Sequence, residues 1–218
     1  MKKRLYGKII IALVLGCSLL WSSTVFAAED KKVTARQVYR FDQQELERGW
    51  EIARSQKVYA DKSLGYGITS TNKTDSNSYP TRRGVILVTE DKYKGLIPLG
   101  HSGIVWTSTT VVESISQGVV TGRNDWNVTR NTCYGVTTYN TTPDQDSQAA
   151  SWCYNQIGKP YNFNYPNKWT RSKFYCSQLV YAAYKDLFSI DLDTYAYLSA
   201  VHPMELVNTS QTYTIYTK

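Results

Sequence analysis

Apolar residues recur at helical spacing in three stretches and cluster with β-branched residues in several others. Leu46, Trp50 and Ala53 repeat at intervals of four and three, which predicts a helix over residues 43–57. Asp42 and Glu45 have capping-box spacing, and Phe41 and Leu46 have staple spacing. Residues 69–81 are polar and end at Tyr79-Pro80, as a loop would. Segments 84–89, 100–106, 109–115 and 133–139 are rich in Val, Ile, Thr and aromatics and read as strands. Residues 145–157 read as a helix with an acidic start at Asp144 or Asp146 and Gly158 past its end. Residues 176–187 form a third helical pattern, with Leu179, Val180, Ala183, Tyr184 and Leu187 on one face. Residues 207–216 suggest a last strand. Helix, strands, two helices and a strand argue for a compact α+β domain with an N-terminal helix.

The N-terminus changes how the charge is read. Lys2, Lys3, Arg4 and Lys8 precede an apolar stretch, and Val25-Phe26-Ala27 offers small residues for a signal peptidase. Residues 1–27 are therefore expected to be a signal peptide cleaved near Ala27, making the protein secreted or extracytoplasmic. A lipid anchor on Cys17 is the less favoured reading, because Leu15 fits a lipoprotein box poorly. Residues 28–80 are expected to form a helical extension and polar loop, and residues 81–218 the main domain. The whole chain carries 25 Lys+Arg against 18 Asp+Glu; removing four basic residues with the leader leaves 21 against 18, a net +3. That balance gives no reason to expect nucleic acid, and it suits peripheral association with an anionic cell envelope.

Beyond the leader the chain has three cysteines, Cys133, Cys153 and Cys176, and two histidines. An odd count leaves at least one free thiol or an intermolecular bridge. Cys133 and Cys153 could pair; alternatively Cys153 is a buried small hydrophobe sharing a helical face with Ala149, Ala150 and Ile157. The spacings match no zinc pattern, so no metal and no cofactor is expected.

Cys176 opens a helix on its inward face, where unpaired N–H groups favour a thiolate and could hold an oxyanion. His101 begins the strand Gly100-His101-Ser102-Gly103-Ile104-Val105, and Gly103 leaves room on the same face. If Trp106-Thr107-Ser108 is the hairpin loop, His101 faces Glu113, a carboxylate in an otherwise apolar run. Such a carboxylate would fix the imidazole tautomer. A two-residue loop would instead put Glu113 on the other face. A structural cysteine and a solvent-facing Glu113 are the plain alternatives. His202 competes as the base, but it lies before Pro203 in a loop, where a lone histidine is more often a surface residue.

At these residues the chain resembles the permuted papain-fold amidases, the YiiX/YaeF-like branch of the NlpC-type superfamily. The matching pieces are Gly84-Val85-Ile86-Leu87, the His101 strand, Ile157-Gly158-Lys159-Pro160-Tyr161-Asn162-Phe163, and Tyr175-Cys176-Ser177-Gln178-Leu179-Val180, spread over roughly residues 80 to 205. The histidine strand precedes the cysteine helix, the reverse of papain. The resemblance implies a circularly permuted papain-like core, an antiparallel sheet packed against helices, with Cys176 as nucleophile, His101 as base and Glu113 as third member. It implies a cysteine amidase or peptidase acting on cell-envelope peptides through an acyl-enzyme. Tyr175 stands where wall peptidases of the superfamily carry an Asp. A lipid acyltransferase or thioesterase with the same triad, and a non-catalytic envelope-binding domain, are the other readings. No role is assigned to Trp106, Tyr161 or Tyr175.

Overall fold

The computed structural model describes residues 42–64, 77–91 and 100–218. The leader, Phe41 of the expected staple and most of the polar loop lie outside the described residues.

Helix α1 (Gln43–Arg54) opens at Asp42, whose carboxylate accepts the Gln44 N–H at 2.7 Å. The cap is real, but it uses Gln44 and not the Glu45 box. Leu46, Trp50 and Ala53 are buried, as their spacing requires. Strand β1 (Ile86–Thr89) pairs with β2 (His101–Thr107), which pairs with β3 (Thr110–Ile115) and it with β4 (Gly118–Arg123). A short helix, α2 (Trp126–Thr129), leads into β5 (Tyr134–Thr138). Helix α3 (Pro143–Tyr154), helix α4 (Cys176–Phe188), the single turn α5 (Glu205–Asn208) and β6 (Thr212–Thr217) complete the order. The sheet runs β4-β3-β2-β1-β5-β6, and its paired neighbours are antiparallel.

Alternation along the strands divides the core. Ile86, Val88, Ile104 and Val112 pack with α3 and α4, while Val85, Leu87, Val105 and Val111 pack with Trp126, Tyr213 and Ile215. Strand β4 was not anticipated, because Gly118 and Gly122 dilute its β signal. Helix α3 starts earlier than expected. Thr142 caps it, Pro143 fills the first turn, and Gln145 reaches back to the Thr142 N–H. Asp144 and Asp146 both lie in its first turn, as expected, and Asp146 is also fully buried, taking Arg82 at 2.8 Å and Lys62 at 2.9 Å. The segment expected as one last strand divides into α5 and β6. Leu187, expected to point inward, is 41% exposed, whereas residues 176–184 are buried on every side of the helix.

Candidate active site

The β2–β3 hairpin decides where Glu113 points. Its turn is Ser108–Thr109, two residues and not the three expected. In a regular hairpin with that turn Ile104 would oppose Glu113, and the carboxylate would leave on the face away from His101. The ladder instead pairs Thr107 with Thr110 and Val105 with Val111, so Trp106 is an extra residue on β2. This β-bulge restores the face. It also moves the register: Gly103, not His101, stands opposite Glu113. Trp106 is held between the Arg83 guanidinium, 3.5 Å from its ring, and the stacked Tyr154 ring at 4.1 Å.

Glu113 then reaches diagonally, and its Oε2 lies 2.5 Å from His101 Nε2. Two glycines make the space. A Cβ on Gly103 would come within 3.4 Å of the Glu113 Cβ, and one on Gly122 would lie 2.0 Å from Glu113 Oε1. Trp126 stacks over the imidazole with ring centroids 5.4 Å apart. Glu113, His101 and Trp126 are all buried.

With Nε2 taken by Glu113, Nδ1 is the ring nitrogen left for Cys176, which is hydrogen-bonded to the imidazole. Burial pulls the His101 pKa down, but the hydrogen bonds to Cys176 and Glu113 outweigh it and lift it to about 9. Burial likewise pushes the Cys176 thiol up. The His101 hydrogen bond and charge, with the Ser102 and Ser177 backbone N–H groups, overcome that and hold it below its ordinary value. Both shifts favour a thiolate beside an imidazolium.

The start of α4 is built for this. Tyr175, at the N-cap, supplies no side-chain cap to the first turn. Gln178 instead accepts the Tyr175 N–H at 3.1 Å and the Asn162 side-chain amide at 2.9 Å, and donates to the Thr170 carbonyl at 3.0 Å. The preceding loop is tied on by Asn162 N–H to the Phe174 carbonyl and Phe174 N–H to the Pro160 carbonyl. Tyr161 lies in this loop beside Cys176; burial first, and then the thiolate's charge, keep its hydroxyl protonated. The Tyr175 hydroxyl accepts the Val201 N–H at 3.0 Å, and Ser177 Oγ donates to the Val201 carbonyl at 2.6 Å. Tyr175 therefore fixes the loop that carries Val201.

His202 is not a surface residue. It is 1% exposed, its Nδ1 accepts the Met204 N–H at 3.2 Å, and its ring packs edge-on to Trp50. That nitrogen is spent on the backbone of its own turn. Cys133 and Cys153 are free and buried, so no disulfide joins them. Burial raises both thiols, Cys133 to about 12. Ile157, expected on the Cys153 face, is 42% exposed because α3 ends at Tyr154.

The sequence reading missed Trp126, Gly122 and the role of Trp106. Only Gly122, a glycine inside a Val/Thr run, carried a local signal of close approach. Among the described residues no group of three His, Cys, Asp or Glu side chains is placed to hold a metal ion. The donor set near Cys176 does not fit one, since His101 Nε2 is committed to Glu113.

Residues 82–204 match the model of a family described as permuted papain-like amidase enzyme, YaeF/YiiX, C92 family. The chain is 30% identical over 162 residues to protein YycO of Bacillus subtilis (strain 168), a match covering 71% of this chain and 62% of that protein. It also resembles in fold the crystal structure of metalloprotein yiiX from Escherichia coli O157:H7. That likeness has a TM-score of 0.51 at 15% identity and covers 65% of this chain and 99% of the other.

Proposed function

Because the chain belongs to the YaeF/YiiX family of permuted papain-like amidases, we propose that it is a cysteine amidase working through Cys176, His101 and Glu113. The general activity is that of an amide hydrolase on a mixed α+β, permuted papain-like fold. What supports the cysteine mechanism is one observation: a single imidazole bonded to a buried carboxylate on one side and to a helix-start thiol on the other.

The Cys176 thiolate attacks the carbonyl carbon of the amide; a C–S bond forms and the C=O pair moves onto oxygen. First-turn N–H groups of α4 face that oxyanion. As the C–N bond breaks, His101 gives its proton to the departing amine. A water then loses a proton to His101 and attacks the thioester, and the C–S bond breaks to restore the thiolate. Glu113 keeps Nε2 engaged throughout and stabilises the imidazolium.

The substrate class we propose is the amide of a cell-envelope peptide, met outside the cytoplasm after loss of residues 1–27. The test is hydrolysis of peptidoglycan-derived peptides, and of acyl lipids in parallel, by wild type, C176A, H101A and H202A. C176A and H101A should be inactive and H202A active. Loss in H202A alone overturns the assignment of the base. Turnover of lipids without peptides replaces the substrate class and retains the triad.

A further inference from the structure

We propose that Trp126 is a positioning residue for the proposed triad: its indole seals the His101–Glu113 pair from water and stabilises the charged imidazole that serves Cys176. The proposal rests on the cysteine-amidase reading above.

Four observations carry it. The indole and imidazole planes lie within 27° of each other at a centroid distance of 5.4 Å, so the ring face and not its edge meets His101. A cation is attracted to such a face, and the attraction grows when both partners are desolvated. Trp126 is 2% exposed and His101 also 2%. The indole enters through Gly103: its Cη2 lies 3.6 Å from where a Gly103 Cβ would stand, and Gly103 is the cross-strand partner of Glu113. The indole thus reaches the strand positions that carry the carboxylate and the imidazole, and a hydrogen bond kept from water there is unscreened.

The ring is also anchored. The Trp126 backbone N–H donates to Tyr79 Oη at 2.9 Å, and Tyr79 O–H donates to Asn124 Oδ1 at 2.7 Å. Asn124 Nδ2 donates to the Pro80 carbonyl at 3.0 Å and to the Ser108 carbonyl in the β2–β3 turn at 3.2 Å. The same hairpin that carries His101 and Glu113 therefore fixes the residue that covers them. The charged groups facing this assembly are Glu113 from β3, Cys176 from α4 and Arg130, which closes α2 and lies 5.2 Å from the indole centroid.

Removing the π face takes from the imidazolium an attraction that the neutral ring lacks, and so disfavours it and with it the thiolate. The test is the pH profile of iodoacetamide labelling at Cys176 in the full chain, with W126L and W126F beside wild type and melting curves for each. W126L should move the acidic limb upward, so that labelling near pH 6 falls about tenfold, while W126F moves it about threefold in the same direction. The high-pH plateau should stay where it is, which a loss of folded protein would not allow. If W126L does not fold, W126F decides alone: an acidic limb coincident with wild type overturns the proposal. If wild-type Cys176 labels no faster near neutral pH than an ordinary thiol, the nucleophile reading falls and this role with it. A fast wild type with an unmoved W126L removes only the role of Trp126.

Discussion

Glu113 stands directly across the sheet from Gly103, yet its carboxylate is bonded to His101, two residues further along the same strand. The diagonal reach works because Gly103 has no side chain in the way, and because Gly122 leaves a slot for the other carboxylate oxygen.

Filling that slot should separate function from stability. In G122A the new methyl would occupy the place of Glu113 Oε1, and the far end of a flexible side chain can move aside cheaply. The protein should stay folded and lose no more than the hydrogen bond of the displaced pair, about 1.5–3 kcal/mol. Amide hydrolysis and Cys176 labelling near neutral pH should fall on the order of tenfold or more, as in E113A, once the imidazolium loses its partner. Urea melts paired with labelling rates check both halves.

The bulge at Trp106 should be as important as the carboxylate it aims. W106A removes the ring held between Arg83 and Tyr154. Amides of β2 and β3 near Val105 and Val111 should exchange faster with solvent, and activity should drop with them. W106F, which can stack in the same place, should restore both. Hydrogen exchange read by mass spectrometry is the measurement.

The thiolate–imidazolium pair gives labelling a defined pH range. Cys176 should react at a pH below its ordinary thiol value, and His101 should keep its proton until about pH 9. The stability linkage has the sign of a raised histidine. Its contribution is fully present below the unfolded value of 6.5 and is lost as pH rises through about 9. Cys176 has the opposite sign, its contribution present above 9.0 and lost as pH falls through its lowered folded value. H101A should remove the histidine component from the stability–pH curve, which denaturant titrations between pH 6 and 10 can read.

Asp146 should prove a structural residue, not a catalytic one. It is fully buried and pairs with Arg82 and Lys62 while accepting from Thr137 Oγ at 2.9 Å. D146A leaves two cations facing a buried gap, and breaking such a set costs about 3–5 kcal/mol. D146N should cost less, since an amide still accepts a hydrogen bond. Chemical denaturation at pH 7 orders the three proteins, and labelling of Cys176 in the surviving fold should be unchanged.

Much of this architecture is written in local pattern. The spacing of Leu46, Trp50 and Ala53 determines which face of α1 is buried, and the Val/Ile/Thr runs locate β1, β2, β3 and β5. Histidine before cysteine, with Cys176 opening a helix, already singles out the two side chains proposed to react. Those features are short-range and follow from periods of 3.6 and 2.0, so a sequence can carry them. What the sequence could not decide was the parity of one hairpin. A two-residue turn alone sends Glu113 away from His101, and the extra residue at Trp106 brings it back. The bulged Trp106 packs on Arg83 and Tyr154, which lie 23 and 48 residues away along the chain and meet it only in the folded protein. The burial of His202 against Trp50 and the seating of Trp126 over His101 are likewise contacts between distant elements. Tertiary packing alone, not local propensity, settles which imidazole meets the thiol and which carboxylate holds that imidazole in place.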